Sequence, residues 1–334
     1  MKFGPVPTSE ATGAVLAHSV TPGKGARLRK GRVLKPADIT ALAGAGIDEV
    51  IVAVPGPEDI GENTAAQRLA QALVPEPAGQ HLKLMEPFTG RVNLLAAGAG
   101  VAVLDVAALE AVNQVHPMIT LATVPPFHQM QDGGMLATIK IISYAVPEAA
   151  LNTACTLAAK AIRLAPPHVA SAGLIITEIP GGAGDRGLSA IAGRVAAFGL
   201  TLDPVLRIPH RADALAAALR DMTTDLTLIL TGSATSDPDD VGPQALRAAG
   251  GHVERFGMPV DPGNLLFTGT LDQRPVIGLP GCARAPALNG ADWVMARVIC
   301  GIPVRDADIA AMGVGGLLKE IPTRPQPRAG RNTG

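Results

Sequence analysis

The sequence predicts an α/β protein, with a three-layer α/β/α domain preceded by one or two smaller α/β or β-rich pieces. The main observation is that short apolar runs alternate with helical patterns between residues 170 and 303. Such alternation is typical of a parallel sheet with helices on both faces. A second observation is a compact strand–helix–strand pattern over residues 14–53, which ends at "VPGPED". Together they predict a small N-terminal part and a larger C-terminal domain.

The N-terminal pattern begins with a strand at "AVLAHSV". A helix is predicted from Pro36, because proline suits the first turn of a helix, and Gly44 and Gly46 end it. "EVIVAV" has the apolar and β-branched composition of a strand.

A basic run separates the first strand from this helix. It consists of Arg27, Arg29, Lys30 and Arg32. The run could bind an anion. The favoured interpretation is a solvated strand edge, because charged side chains on an edge prevent unwanted pairing with other strands.

The middle of the chain mixes helical and strand patterns. Helices are predicted over residues 58–74 and 148–164, and "VAVLDVAALEAVNQV" indicates a strand followed by a helix. Two strands, "MITLATV" and "MLATIKIISYAV", flank a loop that contains the turn signal Asp132-Gly133.

The C-terminal domain alternates regularly. The predicted strands are "AGLIIT", "TLDPVLRIP", "LTLILT" and "HVERFGM", with "LLFTGTLDQRPVIGLP" as a hairpin. The predicted helices between and after them are "LSAIAGRVAAFG", "RADALAAALRDM", "VGPQALRAAG" and "APALNGADWVMARVIC". The predicted domains are therefore residues 1–75, 76–167 and 168–304, followed by a polar, proline-rich tail over 305–334 whose end, "TRPQPRAGRNTG", is expected to be disordered.

Composition narrows the classes of function. The chain has 334 residues, a net charge of −1 and 2% aromatic residues. Nucleic-acid binding is not expected, because it depends on basic surfaces and aromatic stacking. Cys155, Cys282 and Cys300 are far apart and odd in number. They are interpreted as small buried side chains rather than as disulfides or a metal site.

The N-terminus and the hydropathy predict the compartment. "MKFGPVPTSE" has no apolar core of a signal peptide. No segment approaches the roughly 20 apolar residues that a membrane helix requires. No membrane contact is therefore expected, and a cytoplasmic location is predicted.

Three loops follow strands of the predicted parallel sheet. "EIPGGAGDRG" (178–187) includes Gly181 and Gly182 and opens a helix, and "GLPGCARAP" (278–286) includes Arg284, which could reach an anion. Glycines allow backbone N–H groups to approach a phosphate at a helix N-terminus. A phosphate-bearing ligand across these loops is the resulting hypothesis.

The third loop, "TGSATSDPDD" (231–240), combines hydroxyls with carboxylates. Asp237, Asp239 and Asp240 offer the oxygen ligands that Mg²⁺ prefers when it binds a phosphate substrate. An aspartate just before Val241 would also cap the following helix whether or not a ligand binds. Both roles remain open for these residues.

These segments resemble the molybdopterin-binding domain of molybdopterin adenylyltransferases, molybdotransferases, gephyrin and the competence-damage-inducible proteins. The similarity covers "TGSATSDPDDVGPQALRAAGGHVERFGMPVDPGNLLFTG" and "RPVIGLPG". Residues 26–53 also resemble the molybdotransferase segment ahead of that domain. "PFTGRVNL", "MITLATVPPF" and "GGMLATIKIISYAVP" resemble the molybdopterin-binding half of fusions with a molybdenum-cofactor nucleotidyltransferase.

The resemblance implies a ligand and a set of binding residues. The ligand would be molybdopterin or the finished molybdenum cofactor, with Mg²⁺ as a further candidate. Taken together, the three loops and the family motifs predict Gly181, Gly182, Thr231, Gly232, Ser233, Ser236, Asn264, Gly278, Pro280 and Gly281 as binding residues. The predicted metal residues are Asp237, Asp239 and Asp240.

Three departures from the family pattern bear on the function. Ser233 replaces the second glycine of Thr-Gly-Gly, Asn264 replaces a lysine, and Cys282-Ala283 replaces Asn-Pro. Because phosphoryl transfer depends on positioned cations, losing the lysine should impair turnover more than docking.

The resemblance therefore favours a molybdopterin- or cofactor-binding protein that acts in biosynthesis, sorting or transfer of the cofactor. The alternative is an enzyme: a molybdopterin adenylyltransferase using ATP and Mg²⁺, or a molybdotransferase acting on adenylylated molybdopterin. A molybdenum-cofactor nucleotidyltransferase or a molybdoenzyme is the expected protein partner, and a homo-oligomer is the expected assembly.

Overall fold

The computed structural model describes residues 1–23 and 25–318 as two compact units. The first unit contains Met1–Gly98, Ala102–Pro126 and Asp132–Leu164. The second contains Ala99–Val101, Phe127–Gln131 and the chain from Ala165 onward. The second unit is thus assembled from three separate stretches of sequence. The predicted disordered segment 323–334 lies outside the described residues.

The chain up to Ala165 is a mixture of short strands and helices. In order, they are β1 (Lys2–Pro7), β2 (Val15–Leu16), α1 (Pro36–Gly44), β3 (Glu49–Val54), β4 (Asp59–Gly61), α2 (Glu62–Leu73), β5 (Leu82–Leu84), β6 (Arg91–Ala96), β7 (Gly100–Leu104), α3 (Val106–Val115), β8 (Ile119–Thr123), β9 (Gln129–Met130), β10 (Met135–Ile141), β11 (Ala145–Pro147), α4 (Glu148–Leu157) and β12 (Ile162–Ala165).

Antiparallel pairing organises the first unit. β3 lies between β1 and β2, and a second sheet has the order β5-β6-β10-β8. Leu16, Leu34, Leu42 and Val52 belong to a buried cluster that joins α1 to the first sheet. These sheets confirm the strand–helix–strand prediction for the N-terminus.

The predicted helix over 148–164 is too long by seven residues. α4 ends at Leu157, and Lys160 takes a left-handed backbone conformation with φ of 58°. A left-handed residue cannot continue a right-handed helix. The segment after it alternates buried Ile162, exposed Arg163 and buried Leu164, which is the pattern of a strand. The predicted helix over 58–74 similarly begins only at Glu62, after β4.

The start of α1 is held by Asp38. Arg32 donates to its carboxylate from Nε at 3.0 Å and from Nη2 at 2.8 Å. The Lys35 backbone N–H donates to it at 3.0 Å. These contacts hold the pKa of Asp38 below its usual value, with the Arg32 hydrogen bond as the largest cause.

A measurable pH dependence follows from this carboxylate. Because its folded-state pKa is lowered, Asp38 stabilises the fold above its unfolded pKa of about 4 and loses that effect as pH falls through the folded value. We expect Asp38→Asn to be less stable than the parent at neutral pH. The difference should shrink as pH falls below about 4. Urea unfolding across this range measures it, with Asp48→Asn, an exposed position, as the control. A difference that does not depend on pH would contradict the expectation.

The chain after Ala165 alternates strands and helices, as predicted. In order, they are β13 (Ala172–Glu178), α5 (Leu188–Ala196), β14 (Leu202–Pro209), α6 (Ala212–Asp221), β15 (Leu226–Leu230), α7 (Val241–Ala248), β16 (His252–Phe256), β17 (Phe267–Leu271), β18 (Arg274–Leu279), α8 (Gly290–Ile299) and α9 (Asp306–Ala311).

The second unit is built on a six-stranded sheet with the order β14-β13-β15-β18-β17-β16. The first four strands in that order are parallel, and β17 and β16 are antiparallel to their neighbours. Ile175 of β13 and Ile229 of β15 lie side by side. They pack with Leu215 and Leu219 of α6 and Leu246 of α7 in one buried cluster. α5 contacts β14, and α8 contacts β18.

The predicted hairpin is present as β17 and β18. Its two-residue turn consists of Asp272 and Gln273, with φ of 48° and 62°. Positive φ at both positions matches the twist of the flanking strands.

Two short stretches from earlier in the chain complete the second unit. Gly100 of β7 pairs with Met130 of β9. The Phe127 ring centroid lies 3.9 Å from the Arg297 guanidinium carbon on α8. Gln131 Nε2 donates to the Ala197 carbonyl at 2.8 Å.

Candidate functional site

The parallel strands of the six-stranded sheet all end on the same side of the molecule, which we call the carboxyl edge of the sheet. The chain connections diverge there. β14 and β15 are the two neighbours of β13 in the sheet. The connection after β13 leads to β14 on one side, and the connection after β15 leads away on the other side, toward β16, β17 and β18. In open α/β sheets, ligands bind outside the carboxyl ends of the strands at such a divergence. The loops after β13, β15 and β18 are those that the sequence singled out.

Arg284 joins these three loops. It lies in the 3₁₀ helix Gly281–Arg284 after β18. Its Nη1 donates to the Arg186 carbonyl at 2.6 Å, and its Nη2 donates to the Thr231 carbonyl at 2.9 Å. A Cβ on Gly187 would lie 2.5 Å from the Arg284 Cα, so glycine is required for this close approach. One side chain therefore holds the predicted phosphate loops together.

The charge of Arg284 has no acidic partner within residues 1–23 and 25–318, since its hydrogen bonds go to carbonyl oxygens. The side chain is half-buried, and burial lowers the pKa of its guanidinium, with a further contribution from Arg186. A partly desolvated cation without a counter-ion attracts an anion more strongly than one in open water. This edge of the sheet is therefore suited to a negatively charged group.

Gly232 has a structural role at the end of β13. Its N–H donates to Thr177 Oγ1 at 2.9 Å, and Thr177 Oγ1 also contacts His210 Nδ1 at 2.8 Å. A Cβ on Gly232 would lie 2.7 Å from the Thr177 carbonyl oxygen and 3.2 Å from the Ile179 nitrogen. Valine at this position would displace backbone, so that substitution cannot separate ligand binding from folding.

The other predicted binding residues divide by exposure. Gly278, Pro280 and Thr231 are buried, and a Cβ on Gly278 would lie 1.9 Å from the Phe267 ring. Gly181, Gly182, Ser233, Ser236 and Gly281 are exposed and available to a ligand.

Asn264 is exposed in the loop before β17, and its Nδ2 donates to the Met258 carbonyl at 3.3 Å. That loop contacts the start of α8, where the Gly290 N–H donates to the Pro262 carbonyl at 2.9 Å.

Asp240 caps α7, as one of the two interpretations of this loop predicted. Its two carboxylate oxygens accept from the N–H groups of Val241 at 2.7 Å and Ser236 at 3.0 Å. Asp237 accepts from the Asp239 N–H at 2.8 Å. Among the described residues, no group of three or more His, Cys, Asp or Glu side chains is arranged to hold a metal ion.

Arg194 of α5 stabilises the loop after β18 through its side chain. Its Nε contacts Asp292 Oδ1 at 2.5 Å, and its guanidinium donates to the carbonyls of Ala283, Ala285 and Ala287 at 2.8–3.0 Å. The two side chains of this ion pair are only 10% and 13% exposed. Sequence reasoning missed Arg194, because nothing in its helical pattern points to partners about 90 residues away.

The cysteines do not share one environment. Cys300 is buried, and burial raises its pKa to about 12. Cys155 is partly buried, and Cys282 is exposed. The expectation that all three are small buried side chains is therefore wrong for Cys282, which lies in the solvent-facing loop after β18.

A separate cavity of about 950 Å³ lies at the opposite edge of the sheet. Its lining includes His168 and Asp225, next to the amino ends of β13 and β15, and Arg274 at the start of β18. Thr268, also in the lining, is 7% exposed, and its hydroxyl has no hydrogen-bond partner among the described residues. None of the predicted binding residues lines this cavity.

Comparisons with known proteins identify little of the chain. Residues 5–54 match the model of a domain of unknown function, DUF8806. No curated protein matches the sequence. Among the described residues, no helix is both long and apolar enough to cross a bilayer.

Two solved structures resemble the chain weakly. A molybdopterin biosynthesis MoeA protein from Pyrococcus horikosii has 13% identity and a TM-score of 0.29. That match covers 89% of this chain and 75% of the Pyrococcus horikosii protein. A molybdenum cofactor biosynthesis protein from Pyrococcus furiosus has 15% identity and a TM-score of 0.24. That match covers 90% of this chain and 65% of the Pyrococcus furiosus protein. Likeness at this level does not bear on function.

Proposed function

We propose that the second unit binds molybdopterin or the molybdenum cofactor at the carboxyl edge of its parallel strands. The protein would thereby assist biosynthesis, sorting or transfer of the cofactor. The observation that carries this proposal is Arg284, a cation without an acidic partner among the described residues. It holds together three loops, and two of them carry molybdopterin-binding sequence motifs. The ligand class rests on those motifs, and the placement rests on the diverging connections of β13 and β15.

The proposal includes the three-layer arrangement over residues 168–304. β14 and β15 lie on opposite sides of β13 in the sheet, so the connection from β14 to β15 crosses β13. If both crossovers are right-handed, as nearly all are, α5 and α6 lie on opposite faces. α6 and α7 share a buried cluster, which agrees with one helical layer on that face.

The ligand phosphate would lie against the exposed parts of the loops. Gly181 and Gly281 would offer N–H groups, and Ser233 and Ser236 would offer hydroxyls. The Gly182 N–H already donates to the Ile179 carbonyl at 2.9 Å, so Gly182 would contribute by leaving space for the ligand. Arg284 would supply the positive charge that the substitution of lysine by Asn264 removes.

Mg²⁺ would bind only together with a phosphate ligand. Asp237 and Asp239 are exposed and would supply one or two carboxylates, while phosphate oxygens and water would complete the coordination. Asp240 would remain the helix cap. Titrating Mg²⁺ into the protein with and without molybdopterin tests this part, and tight binding without ligand would count against it.

The role of Arg284 is tested by a pair of substitutions that differ in charge. Arg284→Lys and Arg284→Gln both remove the forked contacts to the Arg186 and Thr231 carbonyls, but only lysine keeps the positive charge. We expect Arg284→Gln to bind molybdopterin about tenfold more weakly than Arg284→Lys, because a charged hydrogen bond contributes more than a neutral one. Fluorescence titration of the pterin measures the affinity, and thermal unfolding verifies that both variants are folded. Equal affinity of the two variants would place the anion elsewhere, and the cavity beside Thr268 would be the next candidate.

Binding is distinguished from catalysis by product analysis. The protein is incubated with molybdopterin, ATP and Mg²⁺, and separately with adenylylated molybdopterin and molybdate. A binding protein returns the ligand unchanged, whereas adenylylated molybdopterin or molybdenum cofactor as product would replace the proposal with the enzyme. Size-exclusion chromatography with and without a nucleotidyltransferase or molybdoenzyme tests the proposed homo-oligomer and partners.

A further inference from the structure

The basic run near the N-terminus is divided by the structure into two parts with different environments. Arg32 forms an ion pair with Asp38 and belongs to the start of α1. Arg27, Arg29 and Lys30 line one concavity of about 550 Å³, together with Ser19. The concavity lies within the first unit and far along the chain from the proposed molybdopterin site.

The cations in this concavity face no acidic side chain of the part of the chain that the structure describes. Among the described residues, Arg27, Arg29 and Lys30 form no ion pair, and no acidic side chain lines the space. Glu62 interacts electrostatically with Lys30, and burial raises the pKa of Glu62. Lys30 Nζ also lies 6.0 Å from the Tyr144 ring centroid.

The backbone beside the concavity is held by hydrogen bonds. The Lys30 N–H donates to Ser19 Oγ at 3.0 Å. The N–H groups of Val20 and Leu28 exchange hydrogen bonds with each other's carbonyls at 3.0 and 2.8 Å. The exposed side chains of Arg27, Arg29 and Lys30 line one common space. A strand edge with dispersed charges would only need to prevent unwanted pairing.

We propose that this concavity binds the phosphate groups of a small soluble polyanion, such as a di- or triphosphate. Two arginines and a lysine supply positive charges that offset most of the negative charge of such a group, and arginine binds phosphate oxygens in pairs. The volume is within the usual range for small-molecule sites. Nucleic acid is less suited, because the cations occupy one pocket and the chain has a net charge of −1.

Inorganic tripolyphosphate is the probe, and its binding to the full chain is measured by calorimetry at 0.05 and 0.15 M salt. We expect Arg27→Ala/Arg29→Ala to weaken binding by more than about tenfold, because each arginine contributes charge-assisted hydrogen bonds. Arg163→Ala, which removes an exposed arginine of the same unit, should change the affinity less than about twofold.

Three outcomes would overturn the proposal. One is a double variant that binds like the parent. Another is an equal loss in the Arg163→Ala control. The third is a single-stranded oligonucleotide whose affinity for the same cations rises with its length, which would indicate a nucleic-acid surface. The Arg284 variants separate this site from the proposed molybdopterin site, since they should leave the loss caused by Arg27→Ala/Arg29→Ala unchanged.

Discussion

Replacing Gly278 with alanine is expected to destabilise the second unit by about 1–3 kcal/mol or more, the cost of overfilling a packed core. A Cβ at this position would lie 1.9 and 2.1 Å from two atoms of the Phe267 ring. Phe267 is 1% exposed and packs in the same cluster as Leu246 and Ile229. The ring therefore has no free space to move into, and the strands β17 and β18 would have to separate.

Gly193→Ala is the matched control for this substitution. Gly193 lies within α5, is exposed and would place its Cβ in open space. Alanine there should stabilise the protein by up to about 1 kcal/mol, because glycine is a poor helix former. Urea unfolding followed by circular dichroism measures both variants. If Gly278→Ala were as stable as the parent, the close contact between Gly278 and Phe267 would be wrong.

The second large effect is expected at Arg194. Arg194→Met keeps much of the apolar stem but leaves Asp292 Oδ1 and the carbonyls of Ala283, Ala285 and Ala287 without the arginine donor, while Asp292 Oδ2 keeps the Asn289 N–H. Removing one partner of a nearly buried ion pair costs about 3–5 kcal/mol. We expect the free energy of unfolding to fall by this amount, together with a loss of molybdopterin affinity, because the loop that carries Arg284 loses its support.

The exposed pair of Arg211 and Asp213 provides the comparison. Their side chains are 68% and 66% exposed, and exposed ion pairs contribute about 0–1 kcal/mol. Arg211→Met should therefore change unfolding by less than about 1 kcal/mol. Equal effects of Arg194→Met and Arg211→Met would show that the Arg194 contacts stabilise the protein no more than an exposed ion pair does.

Local signals in the sequence predicted most elements of the second unit. The apolar run before Thr231 is β15, Asp240 is the cap of α7, and the β17–β18 hairpin forms around Asp272 and Gln273. Each depends on interactions within a few residues, which periodicity and turn chemistry report directly. In the first unit, the pattern does not predict the end of α4, because the left-handed conformation of Lys160 has no counterpart in the hydrophobic periodicity.

The site was harder to predict, because its contacts join distant parts of the chain. The sequence indicates that Arg284 could reach an anion. It does not indicate the hydrogen bonds of Arg284 to the Arg186 and Thr231 carbonyls, because these partners are 98 and 53 residues away. The sequence predicts that Gly232 allows close approach of a ligand, and the structure adds that glycine there lets the loop lie against Thr177. Only the folded strand order shows which backbone atoms each glycine must accommodate.

The second unit includes two segments from earlier in the chain, Ala99–Val101 and Phe127–Gln131. A fragment that starts at Ala165 would lack the Phe127 ring over Arg297 and the strand pair formed by Gly100 and Met130. No single proteolytic cut can therefore release this unit intact. Its gene segment likewise could not be transferred to another protein as one contiguous block, so the two units are expected to be inherited together.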